Sequence, residues 1–279
     1  MNTKIKLFSY NSLDTPIHRL SGLTKLLCFL MLTFAVMYSY DIRVILLVMV
    51  FSVGILRVSK IQFSQIRLMI VYVLLFLVTN AVISFFFAPE FGVEIYGTRH
   101  EIAHLFGRTY LTWEQLLYQV TKFFKYASVV PFGMIFLLTT NPSEFASSLN
   151  GVKVHYKAAY AVALTLRYFP DIQRDYRDIS QAQQARGLDL SHKARFNDRF
   201  KNALLIIIPL IFSSLDRIEL ISNAMDLRGF AKGSTRSWYT SKKLTRQDYA
   251  ALVVSALIFL GTVCVSIFVN QSRFYNPFV

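Results

Sequence analysis

The segment His100-Glu101-Ile102-Ala103-His104 fits the pattern H-E-x-x-H, and Gly107 extends it to H-E-x-x-H-x-x-G. On a helix the two imidazoles would share a face one turn apart and could bind zinc, with Glu101 activating a metal-bound water. Tyr110 stands where a third histidine would follow. The other histidines are His18, His155 and His192, so Glu114 would have to complete the metal site. Gly97 and Gly107 bracket the motif and leave room for about two helical turns. A membrane zinc metalloprotease is the alternative function this motif supports; a solvated loop cap is the simpler reading.

A second pattern suits recognition rather than bond chemistry. Ser180-Gln181-Ala182-Gln183-Gln184-Ala185-Arg186-Gly187-Leu188 aligns without gaps with Ser222-Asn223-Ala224-Met225-Asp226-Leu227-Arg228-Gly229-Phe230, 42 positions later. An arginine in a last helical turn followed by glycine is ordinary helix-end chemistry. Repetition of the longer pattern goes beyond it. A permanently charged guanidinium, able to bind carboxylates or carbonyls as a fork, is presented twice. Ala185, Arg186, Gly187, Ala224, Arg228 and Gly229 are therefore candidate docking residues for a soluble, two-fold partner.

Such ends need helices to carry them. Asn141-Pro142-Ser143-Glu144 supplies a cap, a first-turn proline and an acidic residue that can reach back, and Asn150-Gly151 ends that short helix after Leu149. Longer helices are expected over Tyr156–Ala185 and from about Asn197 to Leu227, with Pro170 and Pro209 inside them. Ile172, Tyr176, Ile179, Gln183 and Arg186 share a face, as do Ser214, Ile218, Ile221, Met225 and Arg228. Matched seams of this kind let two helices pack across one another. The apolar block 203–215, with Ile207, Ile211 and Leu215, has 13 residues. It is too short to span a bilayer and too apolar to stay bare, which marks an interface.

The remainder reads as membrane. The chain is 54% hydrophobic and 16% charged, against about 25% charged in soluble domains. Residues 68–88 and 249–269 carry no charge, and each is long enough for a hydrocarbon core of about 30 Å. A hairpin over 23–40 and 42–56 and a helix over 113–140 complete five expected crossings. Lys122 and Lys125 are expected to snorkel towards the outer headgroups. Between Asn141 and Arg246 there are 17 Lys and Arg against 9 Asp and Glu. The positive-inside rule then places this segment in the cytoplasm, the N-terminus inside and the C-terminus outside. No basic-aromatic platform accompanies the charge, so nucleic acid is not the expected partner. Cys28 and Cys264 have neither disulfide-framework nor metal-ligand spacing. Residues 1–19 lack the marks of a removable signal peptide, and the paired broken spans of a single-component secondary carrier do not occur.

Three segments carry a family resemblance. Asp14-Thr15-Pro16-Ile17-His18-Arg19-Leu20 followed by Thr24-Lys25-Leu26-Leu27, and Leu138-Thr139-Thr140-Asn141-Pro142-Ser143-Glu144-Phe145, join the two Arg-Gly signatures. Together they resemble the transmembrane T components of energy-coupling factor (ECF) vitamin and metal transporters. Leu227 departs from the family's usual alanine. The resemblance implies an all-α polytopic membrane protein of about five transmembrane helices plus three cytosolic-side coupling helices. It implies an N-terminal membrane region 1–140, a coupling module 141–235 and a C-terminal transmembrane helix and tail 236–279. It further implies a non-enzymatic scaffold in the cell membrane. Two cytosolic ABC ATPases, which themselves bind ATP and Mg, would each receive one arginine-bearing end; this chain would bind no cofactor or metal. A membrane-embedded, substrate-binding S component would rest on the apolar faces marked by Ile172, Tyr176, Ile179, Ile207, Ile211, Leu215, Ile218, Ile221 and Met225.

Overall fold

The computed structural model describes residues 15–61, 63–106, 109–188, 196–230, 232–233, 238, 242 and 244–277. In chain order these form α1 (Pro16–Arg19), α2 (Gly22–Tyr38), α3 (Ile42–Val58), α4 (Phe63–Phe87), α5 (Phe91–Tyr96), β1 (Glu101–Phe106), β2 (Thr109–Thr112), α6 (Trp113–Thr139), α7 (Pro142–Gly151), α8 (Tyr156–Ala185), α9 (Phe196–Leu227) and α10 (Arg246–Cys264), which runs on as a π-helical turn, Val265–Val269. Among the described residues the protein is all-α but for one small hairpin. The expected helices are present, with α7 running to Gly151 rather than stopping at Leu149. The chain divides into two compact units, Met1–Asn141 with Lys242–Val279, and Pro142–Ser241.

In the first unit α2, α3, α4, α6 and α10 run alternately up and down. The segments 66–87, 113–139 and 246–269 are long and apolar enough to cross a membrane. α2 and α3 have 17 residues each, or about 26 Å at 1.5 Å per residue. α4 packs Ile66 on Met134 and Leu138 of α6 and exposes apolar side chains over the rest of its circumference, among them Val71, Tyr72, Phe76 and Val82, as a helix facing lipid does. The core lies between α2, α3 and α6, where Leu32, Val36, Val48 and Phe132 meet.

Two lysines lock this core by a reciprocal device. Lys25, in the first turn of α2, donates from Nζ to the carbonyl of Thr139 at the end of α6, at 2.7 Å. Lys125, in α6, donates to the carbonyl of Met37 in the last turn of α2, at 2.6 Å, and lies 3.3 Å from the centroid of the Tyr40 ring. The helices are antiparallel, so each receives a cation from the other at the negative end of its dipole. This corrects the snorkelling expectation. Lys125 is 2% exposed and Lys122 is 9% exposed, the latter over the Tyr118 ring. For Lys125, the orphan carbonyl of Met37 at the helix end attracts the cation more strongly than a distant interface does.

Both ends of this unit are tied. At one, Asp248 completes a capping box with Thr245 at the start of α10 and accepts from the Ser21 backbone N–H at 2.8 Å. At the other, the tail beyond α10 folds back. Tyr40 N–H donates to the carbonyl of Arg273 at 2.7 Å, Asn270 to Asp41 at 2.9 Å, and Asn276 to the carbonyl of Tyr96 at 3.0 Å. α5 presses on the start of α6 so closely that a Cβ at Gly92 would fall 2.6 Å from the Gln115 backbone.

Candidate functional site

The second unit holds both arginine signatures. α7 packs on α8, and α8 on α9. Gln183 Nε2 donates to the carbonyl of Leu205 at 3.5 Å, Arg217 to Asp175 at 2.6 Å, and Leu164 shares a pocket with Ile221 and Met225. As the α8 position falls from 183 to 164 its α9 neighbour rises from 205 to 225, so the two helices are antiparallel. Asp175 and Arg217 are themselves 42 positions apart. The sequence repeat is therefore also a spatial one, a pseudo-two-fold centred on this ion pair. Arg186 and Arg228 each lie 11 residues beyond it, about 16 Å along helices that point in opposite directions. The two ends stand roughly 33 Å apart along the pair.

The contact stripe differs from the expected seam. Leu164, Tyr168, Asp175, Ile179 and Gln183 on α8 are half-buried; Leu210, Ser214, Arg217, Ile221 and Met225 on α9 are half-buried too, and Ile206 is buried. Ile179, Gln183, Ser214, Ile221 and Met225 thus lie where the seam placed them. Ile172, Tyr176 and Ile218 instead face outward, exposed by 37%, 47% and 60%. The ion pair occupies the crossing and rotates each stripe by one residue, which leaves the apolar neighbours outside. Ile207, Ile211 and Leu215 are also exposed, beside Phe212 and Leu220.

The two ends are built alike. Leu188 N–H donates to the Gln183 carbonyl at 3.1 Å and Gly187 N–H to the Gln184 carbonyl at 2.9 Å; Phe230 N–H donates to Met225 and Gly229 N–H to Asp226, both at 2.9 Å. This is the Schellman closure. It needs a left-handed residue, supplied by Gly187 at φ +93° and Gly229 at φ +65°, where a side chain is strained. Ala185, Arg186, Ala224 and Arg228 are exposed, and Gly187 also, while Gly229 is half-buried. Neither guanidinium has an ion-pair partner among the described residues. The Arg228 end is anchored by Phe230, whose ring lies 4.7 Å from that of Tyr160. Tyr156 donates to the carbonyl of Gly233 at 2.8 Å, and the Trp238 indole to Asn150 at 3.1 Å. A cavity of about 350 Å³ beside it brings in Arg167, a second guanidinium that sequence spacing alone did not single out.

The H-E-x-x-H motif does not form a metal site. Glu101–Phe106 is a strand, paired antiparallel with Thr109–Thr112 so that His104 lies opposite Tyr110. Four residues of strand separate the backbones of His100 and His104 by about 13 Å, too far for one ion. The residues Ile102, Phe106, Thr109, Tyr110 and Thr112 favour the pleated form. Glu114, fully buried, accepts from His100 N–H at 3.0 Å and from Thr98 at 3.1 Å, and meets His100 Nδ1 at 2.6 Å. Its carboxylate fastens the hairpin to the start of α6.

Comparison with known proteins agrees with this architecture. Residues 14–238 match the family model CbiQ, described as cobalt transport protein. The chain is similar to the energy-coupling factor transporter transmembrane protein EcfT of Lactococcus lactis subsp. cremoris, 28% identical over 257 residues that cover 88% of this chain and 91% of the relative. It is 23% identical over 280 residues to that of Streptococcus equi subsp. equi, covering 94% and 96% of the two chains. With that of Bacillus subtilis it shares 25% identity over 261 residues, covering 87% and 92%. With a family match over most of its length, and membrane-crossing helices beside a repeated arginine-ended pair, the chain belongs to the transmembrane T components of energy-coupling factor transporters.

Proposed function

We propose that this chain is the coupling scaffold of an ECF-type importer in the cell membrane, and that it performs no chemistry itself. Arg186 and Arg228 each dock one of two cytosolic ATPases, which bind the ATP and Mg, and the exposed apolar face of α9 carries the substrate-binding S component. Residues 1–140 and 236–279 form the membrane part, 141–235 the coupling module. The N-terminus lies inside and the C-terminus outside.

The observation that carries this reading is the pseudo-two-fold pair: two Schellman ends built alike, two exposed guanidinia, roughly 33 Å apart along the helices. A pair of similar ATPases approaching one another on ATP binding would move two such points symmetrically. The pivot is the Asp175–Arg217 ion pair, only partly buried at 26% and 32% side-chain exposure, so the helices can turn about it at modest cost. Rotation at the crossing tilts whatever rests on Ile207, Ile211 and Leu215. Photo-crosslinkers placed at Gln181, Asn223 and Ile211 in the full complex test the arrangement. The expected products are an ATPase from each of the first two and the S component from the third. Capture of the S component at Gln181 or Asn223 would contradict the docking assignment.

A further inference from the structure

The membrane unit has a cleft to which neither α8 nor α9 contributes a lining residue. A cavity of about 280 Å³ lies between α3 and α10, floored by Phe29, Leu32 and Phe132 and walled by Phe51 and Val254. It opens into a second space of about 380 Å³ that shares Ile17, Leu20 and Ala251 and reaches Val58. No side chain crosses it at Gly54, where an added Cβ would meet nothing within 4 Å. From Val58 to Phe51 the groove follows α3 for about 10 Å. Its lining is almost wholly apolar, as a hydrocarbon chain requires.

The end of the unit to which the groove runs is basic. Arg57 and Lys60 lie at the end of α3 that Val58 reaches, and Arg246 at the start of α10, one turn before Ala250, though none of the three lines the cavity itself. All three are exposed and have no ion-pair partner among the described residues. Asp248, the acid of that end among the described residues, is 1% exposed and engaged by Ser21 and Thr245. A basic mouth over an apolar slot between membrane helices matches an anionic phospholipid, headgroup and chain together. We propose that this groove is a binding site for one anionic phospholipid, an acyl chain between α3 and α10 and its phosphate at Arg57 and Arg246.

The test is native mass spectrometry of the full chain released from nanodiscs of phosphatidylglycerol or phosphatidylcholine. The wild type should retain one phosphatidylglycerol in preference to phosphatidylcholine. Each of Arg57→Gln and Arg246→Gln should lower that preference about five-fold. Ala251→Phe should expel the retained lipid by filling the slot; Gly54→Leu serves the same purpose if that variant folds poorly. Equal retention of the two lipids by the wild type would overturn the proposal, as would undiminished preference in the Arg57→Gln/Arg246→Gln double variant. So would a slot-filling variant that keeps its lipid but loses a protein partner, since the groove would then be a protein interface.

Discussion

Replacing Lys125 with methionine keeps the side chain's length and removes its ammonium. The Met37 carbonyl is then without its charged donor at 2.6 Å and the Tyr40 ring without its cation at 3.3 Å. A charge-assisted hydrogen bond is worth about 1.5–3 kcal/mol, and a desolvated cation–π interaction adds about 1–2 kcal/mol. Relief of the ammonium's burial offsets part of this. The expected net loss is about 2 kcal/mol. Lys25→Met removes the matching 2.7 Å bond to Thr139 and should cost about as much, roughly 2 kcal/mol. The two sites sit at opposite ends of the α2–α6 pair, so the double variant should be destabilised by about 4 kcal/mol, the sum of the singles. Equilibrium unfolding of the purified chain in mixed detergent and SDS, followed by circular dichroism, measures this. If Lys125→Met is as stable as the wild type, the ammonium is not holding the helix end and reciprocal capping is wrong. Strong non-additivity would show that the two ends are not independent.

Three other outcomes are expected. Asp175→Arg should weaken transport, and the reversed pair Asp175→Arg with Arg217→Asp should restore most of it; failure of the reversal while the protein remains folded would argue against the pivot. Burial raises the Asp41 carboxyl, but hydrogen bonds from Arg43 and Asn270 outweigh that and hold it below the usual carboxylate range. A carboxyl held down in the folded state adds stability at neutral pH that disappears as pH falls below the ordinary value of about 4. Asp41→Asn should therefore flatten the acid limb of a stability-against-pH curve, and an unchanged limb would assign it elsewhere. A cysteine at Ser191, which lies outside the described residues, should be labelled only from the cytoplasm and one at Thr98 only from outside; labelling of both from one side would refute the proposed topology.

Helix ends were the most legible part of the sequence, because their chemistry is local. Gly187 and Gly229 close the helices before them as the Arg-Gly spacing suggested; Thr15, Ser21, Thr112 and Thr245 cap the helices that follow them by the same local chemistry, although sequence spacing alone did not single them out. The repeat at 42 positions marked the two arginines without any structure. The register between α8 and α9 was not legible. It depends on an ion pair between Asp175 and Arg217 in different helices, and the apolar periodicity that suggested Tyr176 and Ile218 gave no weight to a charged pair at the crossing. Lys25 and Lys125 escaped for the same reason, since the carbonyls they cap are 114 and 88 residues away. In 101–112 the motif's spacing drew attention to a helix, while the β-branched and aromatic content of Ile102, Thr109, Tyr110 and Thr112 carried the conformation. The fold-back of the tail onto Tyr40 and Tyr96 has no local signature at all.

The most direct measurement is substrate uptake, together with ATPase co-purification, by the assembled transporter carrying Arg186→Ala, Arg228→Ala or both. Truncating one partner of a charge-assisted hydrogen bond in a docked interface costs about 2–5 kcal/mol. Each single variant should therefore retain one ATPase more weakly and transport slowly. The double variant should be impaired more than either alone, because two linked docking points reinforce each other through effective concentration. Lysine at either position should rescue poorly, since it cannot reproduce the guanidinium fork. A correctly inserted double alanine variant that keeps both ATPases and transports at the wild-type rate would reduce both arginines to helix caps and contradict the docking role.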